Sequence, residues 1–255
     1  MKQNKQISII IPCYNEEKNL KNGVLDGVYQ FLSKQDYKWE VLICNDASTD
    51  NSLNIAQQYA QKYKNFRVLD LPHGGKPGAV WGGIKEAKYD IVLFTDMDQS
   101  TPIAELNKLL PCFEQGFDVV IGSRGALREG NSLIRKAMAT IFLNFRRLLL
   151  LPNIIDTQCG FKAMRTELAK KIFPKLAYFQ EKSQSGWRVS AFDVELLFMA
   201  KSWGHTIKEV AVKWQDEDLS DTKGNKFDRF KKESITMAKE ILRIKINQIK
   251  GVYKK

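Results

Sequence analysis

This chain of 255 residues has few of the residue types that build metal and disulfide frameworks. Its four cysteines form no CxxC pair, and its only histidines are His73 and His205. Those numbers argue against a structural zinc site, which needs closely spaced thiolate or imidazole ligands. No grouping of nucleophile, histidine and acid indicates a hydrolase triad. Because the chain starts with a polar segment that does not resemble a secretory signal, we expect reduced thiols and a cytoplasmic protein.

Long apolar runs and acidic excess are also missing. No stretch approaches the roughly 20 apolar residues that a membrane-spanning helix needs. With 44% hydrophobic and 27% charged residues, the composition is that of a globular protein with one sizeable core. Forty Lys and Arg outnumber 29 Asp and Glu, which leaves a formal charge of +11. A basic excess of this size favours an anionic partner, such as phosphate groups, nucleic acid or acidic lipid.

Short β-branched runs alternate with helical segments in the first half of the chain. Strands are predicted at residues 7–11, 40–44, 66–71, 90–95 and 119–122. The helices between them are predicted at 16–33, from a turn at 45–50 to residue 63, and from a glycine-rich break at 74–78 to about residue 88. This alternation predicts an α/β fold with a mostly parallel sheet.

Polar clusters follow four of these strands or precede the next helix. They contain Tyr14 to Glu16, Asp46, Lys76 and the pair Asp96 and Asp98. Ligands of parallel sheets bind beyond the carboxyl ends of the strands, so the four segments are predicted to converge on one site. The glycines around Lys76 match neither a Walker loop nor a GxGxxG fingerprint, so this segment is either a phosphate-approaching turn or a flexible one.

The acidic residues at these strand ends have two interpretations each. Asp96 and Asp98, one residue apart, could hold Mg²⁺ or Mn²⁺ and share it with a diphosphate, or they could be solvated loop aspartates. Asp46 could accept hydrogen bonds from a nucleoside, or it could cap a helix.

The second half of the chain carries basic and acidic residues in helical settings. An amphipathic helix is predicted over residues 132–151, with Arg135 near its start and Arg124 just before it. Paired guanidinium groups suit a phosphate, although isolated surface arginines are common. A later apolar helix, 191–203, carries Asp193 and Glu195. In the functional interpretation these carboxylates act as a general base or bind a substrate hydroxyl, and in the structural one they are paired with other side chains.

The last part of the chain holds most of the basic excess. Residues 223–255 contain 11 basic and three acidic residues, and 229–249 are predicted to be an amphipathic helix. We therefore divide the chain into a domain at 1–222 and a basic helical tail at 223–255. The tail, and the apolar 141–151 stretch, could lie in an anionic membrane surface, or they could be ordinary core and solvated helix.

Several of these segments resemble the inverting family-two glycosyltransferases. The resemblance rests on Ile9–Glu17 (IIIPCYNEE), Asn45–Asp50 (NDASTD) and Asp96–Asp98 (DMD). Four further motifs are most similar to those of the dolichyl-phosphate β-glucosyltransferases among the polyprenyl-phosphate sugar synthases: Gly75–Val80, Ile121–Arg124, Asp156–Lys162 and Phe192–Leu197. The QxxRW motif of processive polysaccharide synthases is absent from the sequence.

This resemblance implies a Rossmann-like GT-A fold that binds a nucleotide sugar, and it implies roles for individual residues. Asp98 would bind the metal, Arg124 and Arg135 would hold the acceptor phosphate, and Asp96, Arg124 and Asp193 would act in catalysis. The implied donor site consists of Pro12, Tyr14, Asn15, Glu16, Asp46, Lys76, Asp96, Met97 and Asp98.

The implied reaction transfers a hexose, in the first instance glucose from UDP-glucose, to a polyprenyl phosphate such as dolichyl or undecaprenyl phosphate. Mg²⁺ or Mn²⁺ would be the cofactor, and the enzyme would be peripheral at the cytosolic face of an anionic membrane, without a nucleic-acid partner. Alternatives are mannose from GDP-mannose, a soluble saccharide or protein acceptor with Asp193 as general base, and a non-enzymatic basic module that binds membrane or nucleic acid. The sequence leaves the oligomeric state open.

Overall fold

A computed structural model describes residues 6–124, 144–180, 192–215 and 226–254, with the backbone alone over 226–236. Its strands are β1 (Gln6–Cys13), β2 (Lys38–Asp46), β3 (Phe66–Leu71), β4 (Ile91–Phe94), β5 (Val119–Ser123), β6 (Lys162–Arg165) and β7 (Ile207–Ala211). The helices are α1 (Glu17–Lys21), α2 (Val24–Leu32), α3 (Ser52–Lys62), α4 (Gly75–Glu86), α5 (Leu106–Glu114), α6 (144–149), α7 (Thr166–Ile172), α8 (Ala177–Gln180), α9 (Phe192–Ser202) and α10 (Lys226–Ile249). No helix within the described ranges combines the length and the apolar character of a transmembrane span.

The seven strands form one mixed sheet in the order β3-β2-β1-β4-β6-β5-β7. The predicted mostly parallel sheet is confirmed, because β1, β2, β3 and β4 pair in parallel and so do β5 and β7. β6 lies between β4 and β5 and is antiparallel to both. Its orientation was not predicted, since a strand of four residues carries little sequence signal.

The central strands are buried on both faces, as their continuous apolar runs predict. In β1, Ile10 packs into a core shared with α4, α7, α9 and α10. Its neighbours Ile9 and Ile11 point into a second core under α1, α2, α3 and α5. This alternation follows from the two-residue period of a strand. The sheet therefore separates two layers of helices, and its strand ends remain available for the site.

Two helical predictions differ from the structure. The single helix predicted over 16–33 is two helices, because Gly23 adopts a left-handed backbone with φ of 76° between α1 and α2. The glycine-rich segment predicted as a break at 74–78 begins α4 at Gly75, and Pro77 lies in the first turn, where its missing N–H costs no helical hydrogen bond. Most of the helix predicted over 132–151, including Arg135, lies outside the described residues.

Candidate active site

The predicted donor-site residues gather at the carboxyl ends of β1, β2 and β4 and at the start of α4. They surround a cleft of about 320 Å³, which is lined by Pro12, Cys13, Tyr14, Glu16, Asp46, Lys76, Ala79, Asp96, Met97 and Asp98. The convergence predicted from four separate segments is therefore present in the structure. Of the predicted donor residues, Asn15 alone does not line this cleft.

Asn15 instead joins the loops that follow β1 and β2. Its side-chain oxygen accepts a hydrogen bond from the backbone N–H of Thr49 at 2.8 Å, and its own N–H donates to Ser48 Oγ at 3.1 Å. Next to it, the N–H of Glu16 donates to Ser52 Oγ at 2.7 Å. Asn15 and Ala47 both have left-handed backbones, with φ of 55°. These bonds hold the two loops together and so shape the cleft between them.

Asp46 closes one end of the cleft with a carboxylate that is almost fully buried. One oxygen accepts the N–H of Gly74 at 2.6 Å, and the other lies 3.0 Å from Nδ1 of His73. Burial raises the pKa of the Asp46 carboxyl, although the Gly74 N–H and His73 oppose that effect. Asp46 therefore both anchors the turn before α4 and presents a carboxylate at the cleft.

His73 lies beside the site, although the sequence analysis gave it no role there. Its ring packs on Tyr14, with ring centroids 4.9 Å apart. Tyr14 is 40% exposed, which is unusual for a large aromatic side chain. An exposed tyrosine next to a buried carboxylate presents both a stacking surface and a hydrogen-bond acceptor, which are the two features that bind a nucleobase.

Lys76 and Asp96 form an ion pair across the cleft, with Nζ of Lys76 donating to Oδ1 of Asp96. Desolvation favours the neutral forms of both groups, but their mutual attraction outweighs it. As a result, the pKa of Lys76 is raised and that of Asp96 is lowered. The charges of Asp98 and Asp193 also raise the pKa of Lys76, so this ammonium faces an acidic environment from several sides.

Asp98 ends the acidic motif, and one of its oxygens accepts the N–H of Ser100 at 2.9 Å. The described residues contain no cluster of three or more His, Cys, Asp or Glu that would form a metal cage. A hard oxygen donor of this kind suits Mg²⁺ or Mn²⁺, which take further ligands from substrate phosphate and water. The donor chemistry of the site therefore fits a metal shared between Asp98 and a diphosphate.

Asp193 lies at the start of α9 and contacts Lys162 of β6, the last residue of the Asp156–Lys162 motif, to which the sequence analysis gave no individual role. Nζ of Lys162 is 2.9 Å from Oδ1 of Asp193, and both residues are buried, at 1% and 8% exposure. The two groups form an ion pair, and this oxygen has no hydrogen-bond partner among the described residues. Asp193 thus presents a buried acceptor close to Lys76.

Glu195, two residues further along α9, is a paired structural carboxylate. It binds Arg243 of α10 through two contacts of 3.2 Å and accepts the hydroxyl of Tyr253 at 2.6 Å. It also accepts the N–H of Ala177 at 3.2 Å. Of the two interpretations left open by the sequence, the structural one is therefore confirmed for Glu195.

Arg124 is not an isolated surface arginine. Its Nε and Nη2 donate to the two oxygens of Asp156 at 2.7 and 2.9 Å, and its N–H donates to the same carboxylate at 3.1 Å. Its guanidinium also lies 5.7 Å from the ring centroid of Trp214. Burial would raise the pKa of Asp156, but the bonds from Arg124 lower it to about 2. The guanidinium is therefore held in one orientation by a carboxylate that is charged at neutral pH.

Comparison with known proteins places this architecture in a family. The model of the family described as "Glycosyl transferase family 2" matches residues 8–173, which include most of β1, all of β2 to β6 and every residue of the cleft. The chain belongs to glycosyl transferase family 2. This family 2 chain is 34% identical to a dolichyl-phosphate β-glucosyltransferase of Dictyostelium discoideum, over 98% of its own length and 77% of that protein. It is 31% identical to the human dolichyl-phosphate β-glucosyltransferase, over 98% of this chain and 78% of that protein.

Solved structures support the fold of this family 2 chain. It is similar to the glucosyl-3-phosphoglycerate synthase of Mycobacterium tuberculosis in complex with Mn²⁺, UDP and glucosyl-3-phosphoglycerate, with a TM-score of 0.63 and 17% identity over 94% of this chain and 80% of that chain. It is also similar to the mannosyl-3-phosphoglycerate synthase of Rubrobacter xylanophilus, with a TM-score of 0.64. The two are 14% identical over 98% of this chain and 76% of that chain. The predicted α/β fold of GT-A type is confirmed.

Proposed function

We propose that this protein transfers glucose, with inversion, from UDP-glucose to a polyprenyl phosphate of the dolichyl type. The observation that carries the proposal is the acidic, lysine-containing cleft at the strand ends, in a chain similar over 98% of its length to a dolichyl-phosphate β-glucosyltransferase. The mycobacterial synthase of similar fold was solved in complex with Mn²⁺ and UDP, which supports a nucleotide-sugar donor.

The donor occupies the cleft in this proposal. Tyr14 and Asp46 bind the nucleoside, together with Pro12 and Glu16, and Lys76 and Asp96 lie where the diphosphate and sugar meet. Asp98 would hold Mg²⁺ or Mn²⁺, and the metal would supply neutralisation of the negative charge on the diphosphate. Asp193 accepts a hydrogen bond from a hydroxyl of the transferred sugar, because its buried Oδ1 has no hydrogen-bond partner among the described residues.

The acceptor determines what the enzyme has to supply. A lipid monophosphate is already an anion, so it needs positioning and relief from repulsion by the diphosphate rather than a strong base. Arg124 supplies that positive charge, and Asp156 fixes its orientation. The proposal assigns Arg135 a second contact with the same phosphate.

A soluble saccharide or protein acceptor would require Asp193 to act as general base. Lys162 disfavours that role, because its Nζ, 2.9 Å from Oδ1, already holds the Asp193 carboxylate in a buried ion pair. Replacing Asp193 with Asn separates the two acceptors. A bell-shaped pH profile that loses its acidic limb in this variant would favour the soluble acceptor, whereas a uniform loss of rate supports the lipid phosphate.

Thermal unfolding with donors tests the nucleotide-sugar site. UDP-glucose with Mn²⁺ at about a hundred times its dissociation constant should stabilise the protein by roughly 2.7 kcal/mol. The matched measurements use UDP-glucose without metal, and GDP-mannose with and without Mn²⁺. A metal-dependent shift with GDP-mannose alone would replace glucose by mannose in the proposal, and no shift with either donor would contradict a nucleotide-sugar site.

Turnover tests the acceptor. Product formation from UDP-glucose and a short, water-soluble polyprenyl phosphate should fall by orders of magnitude in Arg124→Ala, while the thermal shift with UDP-glucose is retained. Loss of the thermal shift instead would place Arg124 in the donor site. Since the acceptor is a lipid, we also propose that the enzyme acts as a peripheral protein at the cytosolic face of a membrane.

A further inference from the structure

α10 has two apolar faces, and among the described residues one of them packs in the core while the other is exposed. Met237, Ile241 and Ile244 are at most 4% exposed and belong to the core beneath α9. On the opposite side, Leu242, Ile246 and Ile249 are 48%, 49% and 77% exposed. We call these three residues the outer face of α10. Their spacing of four and three residues places them along one side of the helix.

The orientation of this helix is fixed by polar contacts to α9. Glu195, which is 2% exposed, binds both Arg243 and Tyr253. The indole N–H of Trp203 donates to the carbonyl of Tyr253 at 2.9 Å, which holds the turn after α10. Rotating α10 to bury its outer face would break these contacts and expose the core residues. These contacts therefore hold the outer face of α10 away from the core beneath α9.

Basic side chains lie on both sides of the outer face. At about 100° per residue, Lys245 lies on one side of the stripe, and Lys239 and Lys250 lie on the other, each within about 75° of its centre. Lys239 and Lys250 are exposed, and Lys245 is half-buried. Long lysine side chains can lay their methylene groups along an apolar surface while their ammonium groups reach a polar layer.

We infer that the outer face of α10 lies in the headgroup region of an anionic membrane, with its apolar residues among the acyl chains and its lysines at the lipid phosphates. An apolar stripe between lysine rows is the pattern of a helix in the plane of a membrane interface. A second copy of the chain fits less well, because pairing two outer faces would bring lysine rows together.

This inference rests on the proposed function for its purpose, since the membrane would hold the acceptor. It also connects with the site, because Gln158 Nε2 lies 3.9 Å from Met237 Sδ of α10. Gln158 belongs to the loop whose Asp156 holds Arg124. When α10 is bound to a membrane, it therefore still contacts the segment that orients Arg124, the proposed acceptor arginine.

Vesicle flotation of the full chain tests the outer face. Vesicles of phosphatidylcholine mixed with phosphatidylserine should bind the protein at low salt, and vesicles of phosphatidylcholine alone should bind it far more weakly. The combined change Lys239→Gln, Lys245→Gln and Lys250→Gln should weaken binding by about a hundredfold, at roughly fivefold per lysine. Leu242→Gln, Ile246→Gln and Ile249→Gln together should also abolish flotation.

The matched control is Lys34→Gln, Lys38→Gln and Lys64→Gln, which removes the same charge from exposed positions near the starts of β2 and β3. It should bind as the original protein does. Equal weakening by both lysine triples, or unchanged flotation of the apolar triple, would overturn the inference. A dimer that becomes a monomer only in the apolar triple would also overturn it, in favour of a second copy.

Two measurements separate this inference from the proposed function. All variants should keep their unfolding midpoint, because the changed residues are exposed or half-buried, and they should keep glucose transfer to a short, water-soluble polyprenyl phosphate without vesicles. If the outer-face variants bind vesicles less well, but neither they nor the original protein transfers glucose, the proposed function fails and the inference about the outer face is supported. If glucose transfer occurs but flotation is the same in the original protein and in the outer-face variants, the inference fails and the proposed function is unaffected.

Discussion

The carboxylate of Asp96 occupies the space in which a side chain at Gly160 would begin. A Cβ atom built on Gly160 would overlap Oδ2 of Asp96 and lie 2.6 Å from its Cγ. The loop between α6 and β6 therefore packs its backbone directly against the acidic motif after β4. Only a glycine permits this approach, and it leaves Asp96 in position to receive the ammonium of Lys76.

Gly160→Ala should displace the Asp96 carboxylate and weaken its contact with Lys76. We expect glucose transfer to fall by at least about tenfold, in line with the sensitivity of active sites to shifts of an ångström. Steady-state kinetics and the thermal shift with UDP-glucose and Mn²⁺ measure the effect. Gly27→Ala is the control, since a Cβ there meets nothing within 4 Å, and a helical glycine replaced by alanine should be neutral or stabilising. Full activity of Gly160→Ala would show that Asp96 has no fixed role.

Asp156 should make the stability of the protein depend on acid. Burial opposes ionisation of this carboxyl, but Arg124 outweighs it and lowers the pKa from 3.8 to about 2. A lowered pKa stabilises the folded state above the unfolded value, and that stabilisation, about 2 kcal/mol, is lost as the pH falls from about 4 through 2. Urea unfolding between pH 5 and pH 2 should show this loss in the original protein.

The same experiment on Asp156→Asn should give a lower stability at pH 5 and a flatter pH dependence below it. The flattening is expected because the variant has no carboxyl at this position to protonate. Identical slopes for the two proteins would mean that the Arg124–Asp156 pair is not the acid-sensitive contact.

Asp98→Asn should remove the metal dependence of donor binding without unfolding the protein. Asparagine keeps an oxygen that can accept the Ser100 N–H, but it lacks the charge that attracts a divalent cation. We expect the thermal shift with UDP-glucose to become nearly independent of Mn²⁺, and turnover to fall by orders of magnitude. Chelation by EDTA should slow the original protein and leave the residual rate of the variant unchanged. A variant that still responds to Mn²⁺ would place the metal elsewhere.

Arg243→Leu should destabilise the protein by about 3 kcal/mol, because it leaves the buried Glu195 without its cationic partner. Tyr253→Phe, which removes one hydrogen bond to the same carboxylate, should cost about 1 kcal/mol. Lys239→Leu on the exposed side of α10 is the control, with an expected change within about 0.5 kcal/mol. Equal losses for Arg243→Leu and Lys239→Leu in urea unfolding would show that Glu195 does not anchor α10.

Local patterns of the sequence were sufficient for the α/β class, most strand positions and the convergence of Tyr14, Asp46, Lys76 and Asp96 at one edge of the sheet. These features could be predicted because buried parallel strands have continuous apolar runs, and because such sheets place their polar loops at the carboxyl ends. The motifs then identified the family that the comparisons show.

Only the tertiary structure decided which charged residues are paired with one another. Three ion pairs join residues that are between 31 and 48 positions apart: Lys162 with Asp193, Arg124 with Asp156, and Arg243 with Glu195. Lys162 also lies on β6, whose neighbours in the sheet are distant along the chain. An ion pair leaves no periodic trace in a sequence, since its energy depends on distance and burial rather than on spacing along the chain. For the same reason, the sequence predicts that α10 is amphipathic, but only its packing shows which apolar side remains exposed.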